Sequence, residues 1–571
     1  AESEAHRKSE QPLRVSLLLQ RAALLRNAGH PSEATADLQE LLLLDSQHAL
    51  AHRRLAELYA ESSRADDAIR HYEHFLQLDT NPAERSAVHI SVARLLSTAA
   101  PPRAITHVRQ AIDLGHKYRA LRGDALSTPE EVSALVELYR WLEQLQLSQA
   151  QPEAAVTTLR ELEGHIPGGA NFSEERQRLA LEIASVLETH QKDRTAAIAA
   201  LEKVAATEPL ALKLLERLAE LGQNSGESNR MAVLYGRGVE EARREVNELV
   251  ASRDPLPAAP FAALVKLFGW QKSGDARRLA TQGAAILGSG SEELPPRKMP
   301  NKPIGSPLRS AAFNADARGV LYEVWCEVAE SATKLLAPEL KSVGSDAKER
   351  VNAKNVPQVW TTVDELARKF GLATSDKPYG LYLSRERDLC QLSGYNLICG
   401  SNYSSTLTEL RPALQFRLLR KLALLPDRLG PVDGDINELL LFFAACCQLV
   451  QLPGPTLVPE LKSRLDERTK ALDRASARKE RNALRTLAPR LGKLAGDEGR
   501  DFIVAWQQEV KQGCAQLALA LSGNVQAALG DLGVNPNDSN PATARMARRL
   551  LAFSVSADIL TMRRDFGVAS E

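Results

Sequence analysis

Histidine is the residue type whose placement says most about possible chemistry in this chain. All eleven lie between His6 and His190, so nothing beyond residue 190 has an imidazole of its own to act as base or ligand. That removes Ser-His-Asp and Cys-His catalysis and an HExxH zinc site from the rest of the chain. The six cysteines, Cys326, Cys390, Cys399, Cys446, Cys447 and Cys514, form no CxxC pair, and two of them adjoin in an apolar run. This pattern fits free buried thiols in a reducing compartment, with a cytoplasmic location expected, rather than a disulfide framework or a thiolate zinc site. His71 and His74 stand three apart at a spacing that permits metal binding on a helix, but no third ligand accompanies them, and they read as surface residues. The carboxylate pairs Asp433/Asp435 and Asp497/Glu498 sit in "PVDGDIN" and "AGDEGRD" and read as helix N-caps. No phosphate-cradling GxxxxGK[ST] loop, GxGxxG turn or DxDxDG loop is present. The residues therefore assign no catalytic, cofactor-binding or metal-ligating group.

Between Lys462 and Lys493 eleven Lys and Arg face four acids, a local balance of +7. Such a segment could meet phosphates or an acidic partner. Leu461, Leu465, Leu472, Leu484, Leu487 and Leu491 run through it as an apolar stripe, and no aromatic side chain interleaves to stack bases. It reads as an amphipathic helix with a charged outer face, and nucleic-acid binding through 462–493 stands as an alternative rather than an expectation.

The elements that must carry these residues are helical. The chain has 571 residues, 44% hydrophobic and 25% charged, which is globular composition. Aromatic residues are 5%, low for a strand-rich fold. Lys and Arg number 72, as do Asp and Glu, so no global charge drives the chain toward nucleic acid or anionic lipid. The longest apolar stretch, Leu439 to Val450, falls short of the roughly 20 residues a membrane span needs and reads as a buried helix. The chain begins with Ala1, and no signal-peptide pattern is visible.

An internal repeat sets the fold of the first half. Leu25, Ala34, Leu38, Leu41 and Asp45 recur as Tyr59, Ala68, Tyr72, Phe75 and Asp79, each pair 34 residues apart. Each copy reads as a helical hairpin: a helix A with apolar residues at Leu18, Ala22 and Leu25, a short turn at Gly29–Pro31 or Ser62–Arg64, and a helix B. A small residue, Ala34 or Ala68, marks where B crosses A. One hairpin cannot bury its second face, so such units stack. Further copies follow at Ala104/Val108/Ala111, Ala155/Leu159/Leu162, Ala197/Leu201/Val204 and Ala232–Val239. Phe261–Leu287 reads as one more hairpin, for about six to seven over 12–287.

On these residues the segment resembles the tetratricopeptide repeat (TPR) superfamily. Tyr59, Ala68 and Tyr72 match its pattern, whereas His52 and Ala56 replace the early Trp and the Gly, and Pro82 falls two positions late. The resemblance implies a superhelix whose concave face, lined by the A helices, takes a peptide or helix of another protein. The implied groove residues are Arg26, Asn27, Arg53, Glu57 and Glu61, beside Leu19 and Ala23, with Arg140 and Gln144 further along. Family members that clamp a C-terminal carboxylate use Lys and Asn where this chain has Arg53 and Glu57. Glu57 would repel that ligand.

Residues 288–307, rich in Pro, Gly and Ser, read as a linker. Beyond them helical pattern covers 309–337, 356–370, 406–425, 436–452, 457–495, 500–530 and 541–564, with short strands near 379–403. The order of helices, strands and the helix "LTELRPALQFRLLRKLALL" resembles a degenerate zincin-type domain of large bacterial multi-TPR proteins. The positions of the zinc motif would fall near Lys421, Leu422 and Leu425, none of which can do that chemistry. The resemblance implies a pseudoenzyme.

The expected architecture is therefore mainly α. A frayed start (1–11) precedes a TPR-like α-solenoid (12–287), a linker (288–307) and an α-rich domain with a small β-element (308–571). The expected function is a non-enzymatic scaffold or adaptor binding another protein in its groove, with self-association as a further possibility and no membrane span. A zincin-related hydrolase is the enzymatic alternative.

Overall fold

A computed structural model describes residues 2–122, 128–209, 211–222, 228–252, 254–288, 298–304, 319–352, 354–355, 357–372, 379–406 and 409–569. The chain divides into two compact units, Ala1–Leu234 and Tyr235–Glu571.

The first unit is a TPR-like α-solenoid. Its antiparallel helix pairs are α1 (Glu2–Asn27) with α2 (Pro31–Leu44), α3 (Ala49–Glu61) with α4 (Ala65–Leu78), and α5 (Pro82–Leu96) with α6 (Pro101–Arg122). The series continues with α7 (Pro129–Ser148) and α8 (Pro152–His165), then α9 (Ser173–Thr189) and α10 (Arg194–Ala205). Next come α11 (Leu212–Gly222) and α12 (Ser228–Ala251), which crosses into the second unit. The small crossing residues Ala34, Ala68, Ala104, Ala155 and Ala197 are all completely buried, as the repeat reading requires.

The turn inside several hairpins has one construction. Gly29, Ser63 and Ala150 take left-handed backbone, with φ of 81°, 59° and 54°. The next amide reaches back five residues: His30 N to Leu25 O, Arg64 N to Tyr59 O and Gln151 N to Gln146 O, at 2.8 to 2.9 Å. This closes helix A with a Schellman motif, whose left-handed position suits glycine. Only the first turn has one. Replacing Ala150 by Gly should stabilise the first unit by about 0.5–1 kcal/mol, because relief of left-handed strain exceeds the entropy of the added freedom. A urea midpoint for the first unit that falls would contradict this.

In the second unit, the end of α12 is followed by the hairpin α13 (Ala259–Trp270) and α14 (Gly274–Ile286). The sequence reading places that hairpin in the repeat run, but it packs with C-terminal helices because Asp275 pairs with the buried Arg563 and Gln282 donates to Gly523 O. Of residues 288–307, only 288 and 298–304 are described; Ile304 is buried there, and its amide bonds Lys369 O. Helices α15 (Val320–Leu336) and α16 (Pro357–Lys369) follow. The part of 309–337 before residue 319 lies outside the described residues.

Three strands then appear: β1 (Gly380–Ser384), β2 (Cys390–Ser393) and β3 (Asn396–Gly400), in order β1-β3-β2. β3 runs parallel to β1 and antiparallel to β2. β2 has four residues and no aromatic side chain, so its sequence signal is weak. After α17 (Pro412–Leu424) and α18 (Ile436–Leu449), the expected single basic helix is four short ones: α19 (Pro459–Lys462), α20 (Leu465–Ala475), α21 (Arg478–Thr486) and α22 (Ala488–Leu491). Glu480 breaks that run by accepting the Ala477 amide and the Ser331 hydroxyl, which starts a new helix. Helices α23 (Gly496–Ser522) and α24 (Val525–Leu532) are separated by the left-handed Gly523 and the Asn524 cap. α25 (Pro541–Ser554) and α26 (Ala557–Asp565) end the chain.

The core of this unit centres on Trp325, Phe442, Phe443 and Trp506, with ring centroids 5.7 to 6.4 Å apart. Leu439 to Cys447 are buried on every side of α18, so the longest apolar run is an internal helix. Among the described residues no helix is long and apolar enough to cross a membrane.

Candidate functional site

The groove residues expected from the sequence lie on successive A helices, and the structure joins five of them by ion pairs. Arg26 on α1 reaches Glu57 and Glu61 on α3, at 2.6 and 2.5 Å. Arg53 on α3 holds Glu57 at 3.2 Å and also pairs with Glu84 on α5. Further along, Arg140 on α7 meets Glu175 and Glu182 on α9, at 3.0 and 2.8 Å. Arg217 on α11 pairs with Glu188 on α9. The repeat period explains the arrangement: residues about 34 apart occupy the same place on neighbouring A helices, so opposite charges at one repeat position meet across the gap.

The result is a ladder whose guanidinium groups are already matched by carboxylates. Glu57, Glu61, Glu84 and Glu188 stand where a bound carboxylate would be repelled. Glu143 is part-buried, and burial with the Glu182 charge raises its carboxyl above the ordinary value despite Arg140. Two expected groove residues carry no ion pair. Asn27 and Gln144 are both exposed, and no hydrogen bond of their side-chain amides occurs among the described residues. They are free amides beside a neutralised ladder, suited to hydrogen-bonding a backbone or a polar side chain.

Sequence reasoning missed the histidines inside the hairpins. His71 is part-buried rather than fully exposed: its Nδ1 lies 2.9 Å from Nδ1 of His52, which occupies the place of the repeat's early Trp. His74, exposed, stacks on His52 at 5.1 Å between centroids. The next hairpin repeats the device with His89 and His107, whose Nδ1 atoms are 2.8 Å apart. His116 stacks on His165 at 4.0 Å and meets the Tyr139 hydroxyl at 3.1 Å. Burial, with the neighbouring imidazoles, lowers His71, His89 and His116 to about 4. The signal was available: His52 and His89 stand on A helices, with His71 and His107 opposite them on B helices, 19 and 18 residues later. Among the described residues no group of three or more His, Cys, Asp or Glu converges to hold a metal ion.

In the second unit, Leu422 and Leu425 are buried, and Lys421 pairs with Asp433, whose side chain is 10% exposed. Asp433 is thus a partner of Arg420 and Lys421 rather than a helix cap, a role that Asp435 alone fills through the Asn437 amide. The cations of Lys421 and Arg420 lower the Asp433 carboxyl even though burial opposes them. In the basic segment, Arg464 and Arg468 pair with Glu438, Arg481 with Asp473 and Arg490 with Glu323. Lys462, Lys470, Arg474, Arg478, Lys479, Arg485 and Lys493 are exposed and form no ion pair among the described residues.

Leu17 and Leu24 on α1 are 56% and 69% exposed, whereas Ala51 and Leu58, 34 residues later, are 0% and 2% exposed in the second hairpin.

No family model matches the chain, and no curated protein matches it. Among solved structures it is similar to the MamA protein (16% identity over 36% of this chain and 94% of that one, TM-score 0.25). It is also similar to the C-terminal part of a TPR repeat-containing protein from Cytophaga hutchinsonii (13% identity, 47% and 95% covered, TM-score 0.25). A third is a tetratricopeptide repeat protein from Parabacteroides merdae (12% identity, 48% and 94% covered, TM-score 0.24).

Proposed function

We propose that the first unit is a protein-binding scaffold whose A-helix face takes an extended or helical segment of another protein. The observation that carries this reading is the ion-pair ladder from Arg26 to Glu84 and from Arg140 to Glu182. A face whose charges are matched internally has low net charge and fixed side chains, so it presents shape and directed hydrogen bonds instead of a strong field. Preorganisation of this kind lowers the entropy cost of binding. The ligand for such a face is a polar segment with mixed charges that exchanges ion pairs with the ladder and hydrogen-bonds Asn27 and Gln144. A free C-terminal carboxylate is not the ligand, because Glu57 faces it. The second unit is read as a non-catalytic, pseudoenzyme-like domain, with Lys421 tied to Asp433 at the place where a zincin would carry zinc chemistry. The exposed Leu17 and Leu24 supply a surface for self-association, since the equivalent residues of the next hairpin are covered by helix.

Affinity capture with the full chain, read by mass spectrometry, tests the proposal when repeated with Arg26→Glu and Arg140→Glu combined. Each reversal turns attractive pairs into repulsive ones and should cut recovery of the specific partner by tenfold or more, about 1.4 kcal/mol or greater. Unchanged recovery by the folded variant would defeat the reading.

A second reading rests on the seven unpaired cations of the basic segment, which suit a polyanion such as nucleic acid. Under it, reversing Arg478, Lys479 and Arg485 abolishes a salt-sensitive shift with DNA or RNA, and absence of any shift at low salt removes it.

A further inference from the structure

Cys390 and Cys399 face each other across the antiparallel pair β2–β3. Their place in the ladder can be worked out. The Gly400 amide bonds Leu389 O at 2.9 Å, so residues 389 and 400 form a hydrogen-bonded pair. Pairs alternate along an antiparallel ladder, which makes 390 and 399 a non-hydrogen-bonded pair, with Cα atoms about 4.5 Å apart and side chains on one face. That separation lies within the range a disulfide spans, about 4.4–6.8 Å. Both cysteines are free thiols, and both are buried.

We propose that Cys390 and Cys399 are a disulfide-forming pair, oxidised by a hydroperoxide and restored by a thiol. The sheet gives the pair its reach. β2 is an edge strand, and Cys390 is its first residue, with the part-exposed Leu389 between it and the four exposed residues 385–388. Fraying one end of a four-residue edge strand uncovers Cys390 without disturbing β3. The surroundings divide the roles of the two sulfurs. Burial works to raise the Cys390 thiol, but the hydrogen bond with Cys399 and the nearby charges of Lys421 and Arg417 outweigh it and lower the thiol. Burial and the neighbouring Cys390 raise Cys399, which keeps its proton. A thiol that ionises more readily, beside cations, with a second thiol opposite it is the arrangement for attack followed by resolution.

The chemistry balances as two displacements. The Cys390 thiolate attacks a peroxide oxygen, the O–O bond breaks, the leaving oxygen takes a proton, and sulfur becomes a sulfenic acid. The Cys399 sulfur then attacks that sulfur, the S–S bond forms, the S–O bond breaks, and hydroxide leaves with the Cys399 proton as water. Two thiols have lost two protons and two electrons, and the electrons have reduced the peroxide. The new bond ties the edge strand covalently to the central one.

Hydrogen peroxide is titrated onto the reduced full chain until the exposed Cys326 is oxidised. The protein is then denatured, alkylated, digested with trypsin and weighed. One tryptic peptide carries both Cys390 and Cys399. The expected product is that peptide lighter by two hydrogens, with no alkyl group, and regaining two alkyl groups after dithiothreitol. A peptide that still takes two alkyl groups at the dose that oxidises Cys326 overturns the proposal. In Cys399→Ser the resolving sulfur is gone, so Cys390 should stop at the sulfenic acid and be labelled by dimedone. If Cys390 in that variant instead pairs with another cysteine, the assignment of Cys399 is wrong. The measurement on the native chain stands by itself should the variant fold poorly.

Discussion

Acidification from about pH 6.5 to about pH 4 destabilises the first unit before it affects the second. All eleven histidines lie at or before His190, within the first unit, so imidazole titration belongs to it alone. The sign follows from the direction of the shifts. His71, His89 and His116 are lowered from 6.5 to about 4 by burial and by neighbouring imidazoles. His52 and His107 are lowered as well, again chiefly by burial. A lowered imidazole binds its proton more weakly in the folded chain than in the unfolded one. Its stabilising contribution is therefore complete above the unfolded value near 6.5 and is lost as the pH falls toward 4. Carboxylates cushion some rings: Asp67 acts on His71, Glu73 on His107, and Asp113 with Glu161 on His116. Arg70, Arg85, Arg103 and Arg119 work in the other direction.

The full linkage for a shift of this size would be about 3 kcal/mol per ring. His71, His107 and His116 keep part of their surface in solvent, whereas His52 and His89 are 7% and 5% exposed; with screening the contribution falls to the order of 1 kcal/mol each. Several rings acting together still remove much of the stability of a helical unit, which is typically about 5–15 kcal/mol. Hydrogen exchange, corrected for the intrinsic effect of pH, reads the loss by segment. Protection should fall between about pH 6.5 and 4 in peptides covering α3 to α6 and hold in those covering α18 and α23. Replacing His71 and His89 by Gln should flatten the response of α3 to α6. Equal loss in both units, or an unchanged slope in the double variant, would refute the assignment to these rings.

Legibility followed the physics of periodicity. The hairpins were readable because a 34-residue period repeats small crossing residues such as Ala34 and Ala68, and each must be buried for two helices to touch. Equivalent positions on successive A helices were readable for the same reason, yet their pairing was not. That Arg26 meets Glu57 and Glu61 depends on how far one helix advances over the next, which no single-residue pattern encodes. The histidine pairs were hidden because a polar residue at a crossing looks solvated until its partner, 18 or 19 residues away, is seen opposite. In the second half the helices carried the signal and their breaks did not. Glu480 starts a helix and Gly523 ends one through contacts local in space, and their apolar neighbours continue the helical pattern across the break. Strand β2 is too short for alternation to register. Asp275 and Arg563, 288 residues apart, share no pattern at all.

That last pair carries the other large expected effect. Arg563 is 2% exposed. Its Nε and Nη2 donate to the two carboxylate oxygens of Asp275, at 2.7 and 3.0 Å, and Nη1 donates to Ala520 O at 2.7 Å. The guanidinium thus binds α14 to the end of α23, and it also lies against Gly523, where a Cβ would come within 2.6 Å of it. Replacing Arg563 by Met keeps most of the volume and removes the charge. Asp275 loses its bidentate cation in a buried place, and the Ala520 carbonyl loses its donor. Breaking a buried pair from one side costs about 3–5 kcal/mol, because the remaining charge is poorly solvated. The expected result is a fall of several degrees in the unfolding temperature of the second unit, with exchange protection lost in α14 and in residues 566–569 and retained in α3 to α6. Adding Asp275→Leu should recover much of the loss, since an apolar pair of similar volume can match a buried ion pair. If Arg563→Met leaves the unfolding temperature unchanged, the pair does not hold α14 in the second unit. If the double variant is no better than the single one, the cost lies in lost packing and backbone bonds rather than in the stranded carboxylate.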